Sequence, residues 1–147
     1  MIIMRYITTE DIATLVHDQM VMQSVENDGA LLDGIEDLVI SEVCAYLAGR
    51  YDTDRIFGER PVRTGLLVRI ISCITICRAV RRNAARKVSA SFYEYEGWAV
   101  DMLERLRDDK MRLPADVPVV KNEDGSDASA IMYGHSLGNR RFIDRMS

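Results

Sequence analysis

A membrane-spanning helix needs roughly 18 or more uninterrupted apolar residues, and no stretch of this chain reaches that length. The most apolar segment, Leu66 to Val80, is broken by Arg69 and Arg78. The N-terminus carries a single arginine, Arg5, soon followed by Glu10 and Asp11, which is not the pattern of a signal peptide. Three cysteines (Cys44, Cys73, Cys77) make an odd count without framework spacing, so they read as free thiols in a reducing compartment. Histidine occurs twice, at His17 and His135. There is no internal repeat and no low-complexity tract. These absences argue against the secreted, membrane and disulfide-rich classes. What remains is a chain of 147 residues, 48% apolar and 29% charged, the balance of one globular domain. At that size folding buries roughly 68–70% of the unfolded chain's surface, enough for a core without staples.

Charge is unevenly placed. The net charge is −4, yet residues 1–59 hold 12 acids against 3 bases. Residues 60–93 hold 8 bases and no acid, and residues 94–147 hold 11 acids and 8 bases. An acidic third and a basic third suit pairing between copies of the chain, pairing of its own two halves, or contact of the basic third with phosphate. Helix-solvating charge is the plainest alternative.

Apolar spacing predicts an all-α fold, a small four-helix bundle. The first helix is expected to open at Thr8 or Thr9, with Glu10 and Asp11 in its first turn and Ile12, Leu15, Val16 and Met20 on one face. Asn27-Asp28-Gly29 is turn chemistry. A second helix follows from Ala30 or Asp33 to Arg50, with Ile35, Leu38, Val39, Val43, Tyr46 and Leu47 as its stripe. Tyr51 to Asp54 reads as loop. The third helix begins near Pro61 and is apolar nearly all round, so it must be covered on several sides. The fourth runs from Ser89 or Ser91 to Arg112, with Phe92, Tyr95, Ala99, Met102, Leu103 and Leu106 inward. Pro114 and Pro118 then exclude helix. Residues 1–113 therefore read as a helical domain and 114–147 as an extended, mostly irregular C-terminal arm.

Three motifs suggest chemistry and each has a plainer reading. Gly134-His135-Ser136-Leu137-Gly138 matches the G-x-S-x-G serine elbow, but that chemistry needs a later histidine and a strand–turn–helix setting. His135 is the last histidine, so the glycines read as a bendable loop. Asn122 to Asp127 has the acids of a calcium loop, yet Gly125 falls fourth and Tyr133 twelfth, which leaves an ordinary turn. Cys73 and Cys77 lie one helical turn apart, short of the four ligands of a structural zinc site, and fit buried apolar thiols. No catalytic residue, metal or cofactor is expected. The basic run Arg78, Arg81, Arg82, Arg86, Lys87 suits a helix C-terminus. It also supports an alternative function, a small helical nucleic-acid-binding regulator, although no stacking aromatics interleave it and the pI is about 5.2.

The order of several phrases points to a family. Tyr6-Ile7-Thr8-Thr9-Glu10-Asp11-Ile12 comes first, then Ala45-Tyr46-Leu47-Ala48-Gly49-Arg50-Tyr51 at the end of the second helix. A long apolar helix ending in arginines follows, then Phe92-Tyr93-Glu94-Tyr95-Glu96, and last Arg140-Arg141-Phe142. Together these resemble the small head–tail connector (adaptor) proteins of tailed bacteriophages, the Mu-like prophage branch above all. The likeness spans about residues 5–113 and touches the tail loosely. It implies a non-enzymatic virion protein, made in the bacterial host cytoplasm and placed at the neck on the capsid vertex. Such adaptors form homo-oligomeric rings, commonly of twelve copies, between the portal protein and the next neck or tail-completion protein. DNA passes through the lumen without sequence-specific contact, and no membrane is involved. On this resemblance Arg140, Arg141, Phe142 and Ile143 are expected to anchor the arm on the portal. Arg69, Arg78, Arg81 and Arg82 are expected at a subunit interface or the lumen.

Overall fold

A computed structural model of the chain describes residues 5–16, 29–82 and 90–120. The fold is all-α, and among the described residues it comprises three long helices and two short ones. These are α1 (Thr9–Ala13), α2 (Gly29–Leu47), α3 (Thr53–Ile56), α4 (Gly65–Arg81) and α5 (Ala90–Arg107).

Helix α1 starts where its sequence predicts. The Thr8 hydroxyl accepts from Asp11 N–H, and the Asp11 carboxylate accepts from Thr8 N–H at 2.7 Å, a reciprocal capping box. It stops earlier than its apolar spacing suggests. Thr14 donates its hydroxyl to the Asp11 carbonyl at 2.7 Å, and Leu15 N–H turns back to the Ile12 carbonyl. That local bonding competes with the helical ladder, yet Leu15 and Val16 stay buried beyond the break. The predicted continuation to Met20 lies outside the described residues.

Helix α2 buries Leu32, Ile35, Glu36, Val39, Ile40, Val43 and Leu47. Four residues of the predicted stripe, Ile35, Val39, Val43 and Leu47, are among them. Leu38 faces away and is 65% exposed, and Tyr46 is half-buried. The polar loop expected after Tyr51 contains α3, whose Asp52 side chain accepts from Arg55 N–H. Ile56 and Phe57 then reach the core, where Phe57 meets Tyr6 edge-on at 4.8 Å between ring centroids. Gly58 closes this turn because a Cβ there would stand 2.6 Å from the Asp54 carbonyl oxygen.

Helix α4 opens at Gly65, four residues after the proline expected to start it, because the Thr64 hydroxyl caps Leu67 N–H at 3.2 Å. Tyr6 fixes that entry: its hydroxyl donates to the Val62 carbonyl at 2.8 Å and accepts from Thr64 N–H. The helix is the axis of the molecule, packed against α1, α2 and α5. Leu67, Ile70, Ile71, every residue from Ser72 to Cys77, and Val80 are buried. The predicted need for cover on several sides is met, and the chain's own helices meet it.

Helix α5 ends at Arg107, short of the predicted Arg112. Asp109 adopts φ 60°, and Lys110 N–H returns to the Arg105 carbonyl at 2.8 Å while Asp109 N–H returns to the Leu106 carbonyl. This is a Schellman cap with aspartate where glycine is usual. Arg50 stabilises it, pairing with the Asp109 carboxylate at 2.9 Å and donating to the Leu106 carbonyl at 2.7 Å. The chain after Leu113 remains on the bundle as far as Val120. Leu113 N–H donates to the Tyr51 hydroxyl, and Val117 is 3% exposed. Asp52 N–H donates to the Pro118 carbonyl and Val120 N–H to the Arg50 carbonyl, around an antiparallel bridge of Tyr51 with Val119. The first seven residues assigned by sequence to the arm thus belong to the folded body.

Candidate interaction surface

Helix α4 and its C-cap residue Arg82 carry the arginines that the sequence singles out, and the helix periodicity separates their surroundings. Arg78 lies between α2 and α5. Its guanidinium donates both Nη groups to the Glu42 carboxylate, Nη2 to Oε1 at 2.8 Å, and its Nε stands 4.0 Å from Glu96. Arg81, one turn from Cys77, donates to Glu96 and to Cys77 Sγ, the latter at 3.1 Å, and lies over the Tyr93 ring at 5.3 Å. Arg69 lies over the Trp98 ring at 5.4 Å. Arg82 is exposed and has no ion pair among the described residues.

The structure therefore pairs the acidic and basic thirds of this chain with each other. Glu42 belongs to the acidic third and Arg78 to the basic one. Arg63 reaches Asp11 at 2.6 Å in the same sense. Of the routes left open by the charge pattern, pairing of the chain's own halves is the one these contacts realise. Hydrogen bonding from Arg78 holds the Glu42 carboxyl below its ordinary value. The Cys77 and Glu96 hydrogen bonds push Arg81 up, and the Glu42 bond does the same for Arg78. Burial raises the Cys77 thiol and pushes Cys73 up to about 11, so neither is a ready thiolate.

The size of these contacts is modest because both partners are partly solvated; Glu42 is 54% and Arg78 33% exposed. Glu42→Gln is expected to lower stability by no more than about 1 kcal/mol in dilute buffer, and by less in about 0.5 M salt. The lowered Glu42 pKa fixes the sign of the pH dependence. Its contribution is present above the unfolded value of 4.5 and is lost as pH falls through the folded value. Urea unfolding of both proteins across pH checks this: the gap between them should close on acidification.

Other surface features are chemically plain. A groove of about 310 Å³ is lined by Asp101, Glu104, Arg105, Arg107, Asp108 and Lys110, charged walls unlike the mostly apolar lining of a small-molecule site. Among the described residues no cluster of three histidine, cysteine or acidic side chains is placed to hold a metal. No described helix is long and apolar enough to cross a membrane. Gly134 to Gly138, the 122–127 loop, Arg86, Lys87 and the residues expected to anchor the arm, Arg140, Arg141, Phe142 and Ile143, lie outside the described residues.

Sequence reasoning missed the most tightly held carboxylate. Glu36, fully buried on α2, accepts from Arg5 N–H at 2.7 Å, Tyr6 N–H at 3.1 Å and Ile7 N–H at 2.8 Å. The one available signal was its position on the stripe 32, 35, 36, 39, 40, 43, 47, where it is the sole charged residue. No family model matches the chain, and neither a curated protein nor a solved structure resembles it closely enough to count as a match.

Proposed function

We propose that this chain is a head–tail adaptor of a tailed bacteriophage, a structural protein that joins a portal to the next neck component and catalyses no reaction. The observation that carries the proposal is the ordered set of sequence phrases. In the structure these phrases include joints of the fold. Tyr6 ties the N-terminal segment to the entry of α4, while Arg50 and Tyr51 tie the end of α2 to the end of α5 and to Leu113. Phe92 and Tyr95 pack on the core from the start of α5.

The fold changes one part of the picture. The apolar α4 is satisfied within one chain, and its arginines Arg78 and Arg81 are paired within one chain. Neither feature demands a second copy for folding. The proposal is therefore a monomer that becomes a ring, commonly twelvefold in the family it resembles, only on the portal. Arg140, Arg141, Phe142 and Ile143 would supply the anchor. Arg69 and Arg82 remain as candidates for contacts with a neighbouring subunit or the lumen.

The alternative, a nucleic-acid-binding regulator, draws on the run from Arg78 to Lys87. Two of those five cations already face glutamates, which weakens it. Co-sedimentation of the full-length protein with the portal protein of the same genome separates the two readings. The adaptor reading expects pelleting with portal that Arg140→Ala plus Arg141→Ala reduces at least tenfold. Absence of pelleting, together with duplex binding that falls steeply with salt and is lost in Arg81→Ala plus Arg82→Ala, would favour the regulator.

A further inference from the structure

Helix α2 has a second face that no described element covers. Leu38 stands there 65% exposed, one of two large apolar side chains so open among the described residues. The other, Tyr93, lies under Arg81. Around Leu38 the helix offers Gly34, Asp37, Ser41, Glu42 and Ala45, with no long apolar neighbour to screen it. The helix bears no lysine or arginine. Asp33 has no ion pair among the described residues, and Asp37 has only a 3.4 Å contact with Arg5, both side chains being about half exposed or more. An acidic helix face with a bare leucine at its centre suits a short segment that is basic and apolar together.

We infer that this face is the seat of the chain's own C-terminal arm, with Phe142 and Ile143 against Leu38 and the flanking arginines Arg140, Arg141 and Arg145 toward Asp33 and Asp37. Two further observations carry it. The first is charge: residues 131–147 hold three arginines against one acid, Asp144, opposite in sign to the face. The second is where the described chain ends. Val120 N–H is bonded to the Arg50 carbonyl at 2.8 Å, three residues past the end of α2. From Leu47 back to Leu38 is about 14 Å at helical rise. The 22 residues from Val120 to Phe142 can span up to ~70 Å. The arm thus leaves the body at the C-terminal end of α2, within reach of the face with slack to spare, and the tether gives it an effective concentration near the millimolar range that a free partner rarely reaches.

The seat itself does not rest on the adaptor reading. If that reading also holds, the same residues serve portal and seat in turn, and the unassembled chain keeps its anchor covered.

The test uses the full-length protein carrying Leu38→Cys and Ile143→Cys, prepared as an equal mixture of ordinary and ¹⁵N-labelled chains and oxidised gently. Peptide mapping should find positions 38 and 143 joined within one isotopic class. Asp33→Lys plus Asp37→Lys should slow that joining at least tenfold. A parallel protein with Glu104→Cys on α5 in place of Leu38→Cys should join at least tenfold more slowly. Links between labelled and unlabelled chains would overturn the inference in favour of a second copy as occupant. Equal rates at positions 38 and 104, or no link at position 38, would overturn it outright. Portal binding is read separately, so either idea can fail without the other.

Discussion

Glu36→Ala is expected to lower the unfolding free energy by about 3–5 kcal/mol, the largest effect of any single charged residue described. The carboxylate accepts three backbone N–H groups, from Arg5, Tyr6 and Ile7, and Glu36 and Ile7 are fully buried. Stranding a buried donor costs roughly 1–3 kcal/mol, and the Arg5 amide, at the exposed edge, recovers part of its loss from water. Glu36→Gln keeps an acceptor oxygen but turns an amide N–H₂ toward the same donors, so it should fall between alanine and the parent. Hydrogen exchange should show the loss first at residues 5–7, whose amides lose their acceptor, although Tyr6 stays held through its hydroxyl.

The pH dependence at Glu36 runs opposite to that at Glu42. Burial raises the Glu36 carboxyl, with the three amides pulling the other way. A raised carboxyl pKa means that the folded state disfavours ionisation. The stability it confers is fullest below the unfolded value of 4.5 and declines as pH rises through the folded value. The stability gap between the parent and Glu36→Gln should therefore narrow with rising pH, whereas the gap to Glu42→Gln should widen. The two slopes are opposite in sign and fall on opposite sides of 4.5, that of Glu42 below it and that of Glu36 above it, which tells the two carboxylates apart.

Arg50→Ala is the second large effect, expected at about 3 kcal/mol. Arg50 and Asp109 are only 13% and 11% exposed at their side chains, so the substitution strands a mostly buried carboxylate and uncovers the Leu106 carbonyl at the end of α5. Arg112, which also approaches Asp109 at 3.3 Å, limits the loss. Asp109 has the left-handed backbone that glycine adopts freely. Asp109→Gly should accordingly destabilise by about 1 kcal/mol less than Asp109→Ala. In a double-mutant cycle, Arg50→Ala should cost much less once Asp109 is glycine. Equal costs in both backgrounds would show that the pair does not hold the two helix ends together.

The long helices were legible because their apolar residues recur at three and four, and the start of α1 was legible to within one residue because Thr8 and Thr9 are both good N-caps. Leu38 was not, since a leucine three residues from Ile35 fits a stripe as well as Ile40 does. Glu36 and Ile40, rather than Leu38, complete the buried stripe, and the partners that hold Glu36 inward lie about 30 residues earlier in the chain. Helix α3 was hidden in Asp52-Thr53-Asp54, which read as polar loop although Asp52 is also an N-cap ahead of Ile56. The Arg50–Asp109 pair joins residues 59 positions apart, a distance over which no periodicity speaks. The charge segregation was plain in the sequence, but only the packing of α4 between α2 and α5 shows that the chain spends part of it on itself. The expectation that Arg140 to Ile143 anchor on a portal comes only from the resemblance, and those residues lie outside the described ones, so its test lies in solution.

The most direct measurement is negative-stain electron microscopy of the full-length protein mixed with the portal protein of the same genome. The account predicts a chain that is monomeric alone and adds a ring of density to one end of the portal, with that ring missing when Arg140 and Arg141 are both alanine. Portal particles that stay bare at saturating concentrations of the intact chain would contradict it.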